Sequence, residues 1–223
     1  MATSQLNEEQ LKLKDAFCEV RKAHRLIYEY QRRMQDLTWF IKTKLGFPEY
    51  QGYKRFSNTI SPQHNIKYDL WSWDWIYTYM FEYYLGWQEN KDKHNSWRLS
   101  VIQISDTGYY KNKLKGSSVT NLSSYASPEE SESRLLFYLS VAPNSAEEYD
   151  VDVDGVIETC AESAEFDKED FRIIKNPQKQ GYVQIAYSVP LSRFVDETKT
   201  IQILRDFVKL CNDNADTSLS IQE

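Results

Sequence analysis

The stretch WSWDWIYTYMFEYYLGW, Trp71–Trp87, places a large apolar or aromatic side chain at every odd position: Trp71, Trp73, Trp75, Tyr77, Tyr79, Phe81, Tyr83, Leu85 and Trp87. The even positions are mixed. Such alternation is the signature of an extended segment with one face covered and the other facing a different environment. A single strand of 17 residues would be far longer than usual, so a bend near Asp74 or Gly86 is expected, with Trp75 to Tyr83 packed under a helix. The flanking Trp71, Trp73 and Trp87 are then the rings expected at a cleft or an interface.

Outward from this segment, the N-terminal side reads as one long helix. Residues about 7–45 contain no Gly or Pro and are rich in Leu, Lys, Glu, Gln and Arg, which lose little conformational freedom in a helix. Leu13, Val20, Ile27, Met34 and Ile41 recur every seven residues, and Phe17, Tyr30, Leu37 and Leu45 widen the stripe. The opposite side carries Lys12, Lys22, Arg25, Arg32 and Arg33. The apolar side must be covered, either by the chain's own sheet or by a second copy, and polar His24, Gln31 and Thr38 depart from a strict coiled-coil seam. Gly46 and Pro48 end the helix.

On the C-terminal side, Trp97 to Ser105 reads as the return strand of a hairpin whose charged connection spans Glu89 to Lys93. Gly116 to Glu132 is Ser-, Asn-, Pro- and Glu-rich and reads as a mobile loop. Arg134 to Val141 gives another apolar strand, Tyr149 to Val153 an extension of the sheet, and Phe171–Lys175 with Tyr182–Val189 a last hairpin. Asp196 or Thr198 caps a final helix over about 196–212, with a frayed tail from Asn212. Hairpin-length connections without alternating strand–helix units specify an α+β fold. It is expected as one domain over 1–223, with a mainly antiparallel curved sheet over about 68–190 covered by the two helices.

Composition narrows function more than it defines it. The 223 residues carry 27 Lys and Arg against 33 Asp and Glu, a net charge of -6, which gives no whole-surface attraction to nucleic acid or anionic lipid. Mean hydropathy is low at -0.66, but 14% aromatic residues supply the buried surface a folded body needs. Three dispersed cysteines, Cys18, Cys160 and Cys211, suit a reducing compartment, and the charged N-terminal region lacks the apolar run of an export signal, so a cytoplasmic location and no membrane partner are expected.

Chemical motifs are sparse. Asp150, Asp152, Asp154 and Gly155 resemble the opening of a calcium loop, yet Ala161 stands at the twelfth loop position where a bidentate Glu is required. A simpler reading turns Val151 and Val153 inward and makes Asp154-Gly155 a turn. Metal-dependent phosphodiester or nuclease chemistry would draw its carboxylates from Asp74, Glu82, Glu89 and Asp150–Asp154, with Lys91 nearby. Tyr109, Tyr110, Lys111, Lys113 and Lys115 combine stacking faces with ammonium groups, the pattern of a single-stranded nucleic-acid or nucleotide module. No nucleophile elbow, P-loop or dinucleotide fingerprint occurs, and His24, His64 and His94 are isolated; no cofactor is expected. Aromatic-rich surfaces and a long amphipathic helix therefore favour a non-enzymatic interaction or regulatory protein, with an unidentified protein partner or itself. Its contacts are expected at Trp71, Trp73, Trp87, Tyr109, Tyr110, Lys111 and Lys113.

Overall fold

The computed structural model describes residues 8–56, 72–92, 94–113, 115–116, 118–119, 121–144, 153–163, 165–166, 168–175 and 181–223. The chain forms two compact units, Met1–Leu37 and Thr38–Glu223. The helix α1 (Glu8–Leu45) supplies all described residues of the first unit and its last two turns enter the second. It ends as the sequence requires. Gly46 takes a φ of 69°, its N–H donates to the Thr43 carbonyl and the Phe47 N–H donates to that of Lys42, both at 3.2 Å, which caps the orphan carbonyls of the last turn.

The second unit is built on a sheet of β1 (Gln51–Lys54), β2 (Met80–Asn90), β3 (Asn95–Ile104), β4 (Arg134–Pro143), β5 (Phe171–Lys175) and β6 (Val183–Pro190). The strand order is β1-β2-β3-β4-β6-β5, and every neighbouring pair is antiparallel. The expected hairpins β2–β3 and β5–β6 are both present. With α1 and the C-terminal helix α4 (Glu197–Ala215) the fold is α+β.

Cross-strand partners share a face, so the register sorts the side chains. One face carries Phe81, Tyr83, Val101, Leu99, Phe137, Leu139, Tyr187 and Ile185. It is covered by α4, whose Phe207 ring lies 5.0 Å from Phe137 and 6.1 Å from Tyr187. At the β1 edge Tyr50 stacks on Tyr83 at 5.7 Å, Trp39 meets Tyr50 edge-on at 5.4 Å, and Thr38 bonds the Tyr50 hydroxyl at 2.7 Å. The last turns of α1 are thereby tied to the sheet.

The other face carries Met80, Ile102, Ile104, Leu136, Tyr138 and Ala186, packed with Val153, Val156, Ile157 and Cys160 of α3 (Val153–Glu162) and Tyr110 of α2 (Gly108–Lys113). Both faces are thus covered, and β4 is buried along nearly its whole length, which explains its continuous apolar run.

Several expectations change. The aromatic segment becomes a strand only from Met80; Ser72–Trp75 form a 3-10 turn. Within β2 the register shifts between Tyr84 and Gly86. Leu85 is the extra residue, so Gly86 pairs with Leu99 on the α4 face while Trp87 pairs with Arg98 on the α3 face. The odd-numbered wall therefore changes sides at the bulge. Gly86 takes a φ of 103°, a conformation that favours glycine. Asp154-Gly155 is not a turn but the first turn of α3, and Val153 starts that helix instead of ending a strand; Tyr149–Asp152 lie outside the described residues. Helix α4 runs three residues beyond 212, and the tail is not frayed: Asn212 Nδ2 donates to the Leu219 carbonyl at 2.9 Å, and its Oδ1 accepts from Thr217 Oγ1 at 2.6 Å and Leu219 N at 3.1 Å. The 116–132 segment, expected as a mobile loop, includes a 3-10 turn at Leu122–Ser124, with Asn121 accepting from Ser123 N at 3.2 Å.

Candidate functional site

Two features stand out, one in each unit. In the first unit, α1 presents a run of apolar side chains to solvent. Leu13 is 56% exposed, Phe17 54%, Val20 50% and Ile27 41%. Ala16 and Ala23, three residues after Leu13 and Val20, are exposed on the same side; the next member of the heptad series, Met34, is buried. Intrahelical ion pairs Lys12–Glu8 at 2.6 Å, Lys22–Glu19 at 2.8 Å and Arg32–Glu29 at 3.1 Å reinforce the helix, each by a few tenths of a kcal/mol at most.

In the second unit, the α3-covered face of the sheet is apolar toward α3 and polar beyond it. Tyr53, Arg55, Glu82, Tyr84, Arg98, Ser100, Tyr138 and Val153 line a cleft of about 280 Å³. The register assembles them: Tyr53 stands opposite Glu82, Tyr84 opposite Ser100, Ser100 opposite Tyr138, and Arg98 between Trp87 and Ser140. Glu82 is the buried anchor. Its Oε2 accepts from Arg55 Nε at 2.6 Å and also from Nη2, and its Oε1 accepts from Ser100 Oγ at 2.5 Å. A buried carboxylate held by a guanidinium fork and a hydroxyl is paired and oriented. Arg55 Nη1 lies 3.7 Å from exposed Asp154 at the start of α3, and the guanidinium sits 5.8 Å from the Tyr53 ring centre. Burial raises the Tyr84 pKa, helped by Glu49 and opposed by the nearby Arg98 charge.

The expected contact residues scatter. Trp71 lies outside the described residues. Trp73 is packed among Phe56, Tyr79 and Tyr125 at 5.3, 4.4 and 6.1 Å, with its indole N–H donating to the Val119 carbonyl at 2.8 Å. Tyr110 is buried, its hydroxyl 3.7 Å from Met80 Sδ, and Tyr109 joins the same ring cluster. Lys111 Nζ donates to the Glu130 carbonyl. Lys113 meets Glu158 at 2.9 Å and Glu162 at 3.6 Å; burial would lower its pKa, but the hydrogen bond and charge of Glu158, with Glu162, carry it upward. These rings and ammonium groups are engaged by the chain itself. Trp87 remains, 49% exposed and directly across from Arg98.

The carboxylates considered for metal chemistry also diverge. Asp74 is buried 3.7 Å from Lys54, whose pKa burial lowers against the opposing pull of Asp74. Glu82 is held as above, and Glu89 accepts from Asn144 Nδ2 at 2.6 Å. Among the described residues no three His, Cys, Asp or Glu side chains gather as metal ligands; Asp150 and Asp152 lie outside them. Sequence reasoning missed the cleft because its members are scattered over β1 to β4, Arg55 just beyond β1 and Val153 of α3, and Arg98 is brought opposite Trp87 only by the parity change at the bulge. The sequence reading groups Glu82 with the candidate metal carboxylates, not with Arg55 and Ser100, which hold it in the fold.

Residues 10–216 match the family described as PM0109. The chain belongs to the PM0109 family. No curated protein and no solved structure matches it. Among the described residues no helix is long and apolar enough to cross a membrane.

Proposed function

We propose that this member of the PM0109 family is a non-enzymatic interaction protein that self-associates through the N-terminal half of α1. The observation that carries this reading is the exposed run of Leu13, Phe17, Val20 and Ile27 on one side of a 38-residue helix. Contiguous apolar surface of this kind is retained in proteins chiefly where a partner covers it. A second copy is the occupant favoured by the pattern: Leu13, Val20 and Ile27 repeat every seven residues, and Ala16 and Ala23 occupy the intervening positions. A 3.5-residue average repeat is that of helices wound on like helices, and small intervening residues allow close approach. The exposed seam from Leu13 to Ile27 is about 21 Å long at 1.5 Å per residue, so the pairing is weak and depends on concentration.

Size-exclusion chromatography with light scattering checks it. The wild-type chain is expected to shift toward twice the monomer mass as concentration rises through the micromolar range. Val20→Glu combined with Leu13→Glu should hold it at monomer mass, whereas Arg25→Glu on the opposite side should not. A wild-type chain that stays monomeric at high micromolar concentration overturns the reading. We place this activity in the cytoplasm, a location supported by the three unbridged cysteines, of which Cys160 and Cys211 are buried.

A further inference from the structure

We propose that self-association through α1 is governed by the protonation state of His24: two copies pair while its imidazole is neutral and separate when it is charged. This inference rests on the self-association reading and adds its regulation. The observation behind it is position. Residues three and four apart are neighbours on a helix, and His24 stands four residues after Val20 and three before Ile27, one heptad on from Phe17. All four side chains are exposed. A second helix laid over this run cannot cover Val20 and Ile27 without also covering the imidazole between them. Among Leu13, Phe17, Val20, His24 and Ile27 it is the only side chain that ionises.

Covering matters because of what surrounds the ring. Its helical neighbours are Val20, Arg21, Ile27 and Tyr28, and Arg25 follows it in the chain, so the nearest charges are guanidinium groups, which disfavour another positive charge. The carboxylates that could compensate point elsewhere. Glu19 and Glu29, five residues to either side, lie about 140° round the helix from His24 at about 100° per residue, where they meet Lys22 at 2.8 Å and Arg32 at 3.1 Å. The second copy brings the same set to the seam: the apolar run, its own His24 and Arg21, with Glu19 and Glu29 again turned away. An imidazolium enclosed between two such faces loses water and gains no counter-charge.

The direction of the pH dependence follows. An imidazole ordinarily titrates near pH ~6.5. Pairing that admits only the neutral form takes one proton from each copy, so it is fully present above that range and weakens as pH falls through it, by about tenfold between pH 8.0 and 6.0. The charge of the whole chain acts in the opposite sense. Its net -6 at pH 7 shrinks toward the isoelectric point near 5.3, which by itself favours association at lower pH. Weaker pairing at pH 6.0 is therefore the mark of a group inside the seam.

Sedimentation velocity of the wild-type chain and of His24→Leu, each over a concentration series at pH 8.0 and at pH 6.0, tests the inference, with circular dichroism at both pH values to verify that the helix is kept. The wild-type dissociation constant should rise about tenfold at pH 6.0. His24→Leu keeps the seam apolar at either pH, so it should pair at least as tightly as wild type at pH 8.0 and should not weaken at pH 6.0. His64 and His94 remain in that variant, so the difference between the two chains isolates His24. Wild type that pairs equally well at both pH values, or His24→Leu that weakens as wild type does, overturns this inference and leaves self-association standing. A wild-type chain that is monomeric at pH 8.0 throughout the series overturns both.

Discussion

At the residue scale the fold is pinned by a few polar groups placed where water cannot reach. Arg134 is fully buried, yet its Nε donates to Ser188 Oγ at 2.9 Å, Nη1 to Glu132 at 2.7 Å, and Nη2 to the carbonyls of Lys168 at 3.1 Å and Ser188 at 3.0 Å. It also lies 5.4 Å from the Phe166 ring centre. Arg134→Ala removes every donor at once and leaves those acceptors unpaired, so urea unfolding should show a loss of about 3 kcal/mol or more. Cys160 gives a pH dependence. Burial pushes its thiol up from 9.0 to about 12, with Lys175 opposing. Above pH 9 the unfolded chain releases this proton while the folded chain keeps it, so stability falls as pH rises toward 12, by about 1.4 kcal/mol per pH unit from this group. Cys160→Ala should flatten that slope in denaturant titrations at pH 9 to 10.5, and an unchanged slope would contradict the assignment. Neither environment was legible in the sequence. Arg134 begins an apolar strand like any boundary cation, and apart from Glu132 its acceptors come from residues 34 and 54 positions away.

Elements were far more legible than their registers. The helix–strands–helix order, both hairpins, the Gly46 stop and the Asp196 cap follow from local chemistry; Asp196 accepts from Lys199 N at 2.8 Å, as the sequence pattern requires. Asp196→Ala should lower stability by about 1 kcal/mol in thermal or urea melts. The bulge in β2 was foreshadowed by Gly86 but its consequence was not, because a parity change depends on which residues of β3 become partners. Gly86→Ala should be costly for two reasons: its φ of 103° disfavours a Cβ, and that Cβ would lie 3.2 Å from the Glu49 backbone nitrogen. A loss of about 1–3 kcal/mol is expected. Gly52 makes a similar demand in β1, since a Cβ there would collide with the Phe81 ring. The sheet edge is therefore shaped by glycine at both of its first two strands.

At the scale of the whole molecule, composition and pattern left the choice between a helix covered by its own sheet and one that meets another chain. The structure gives each unit its own character: a sheet-based body with both faces packed, and a helix exposed nearly all round from Glu8 to Glu29, one side of which carries the apolar run from Leu13 to Ile27. Heptad spacing was readable in the sequence; exposure was not, since the same residues would serve equally well in an internal core. A net charge of -6 opposes non-specific association between copies of the chain. Sedimentation velocity of the 223-residue chain over a wide concentration series tests self-association most directly. A weight-average sedimentation coefficient that rises from monomer to dimer with concentration, and stays at the monomer value for Leu13→Glu with Val20→Glu, is the predicted result; a wild-type coefficient that remains monomeric throughout would contradict it.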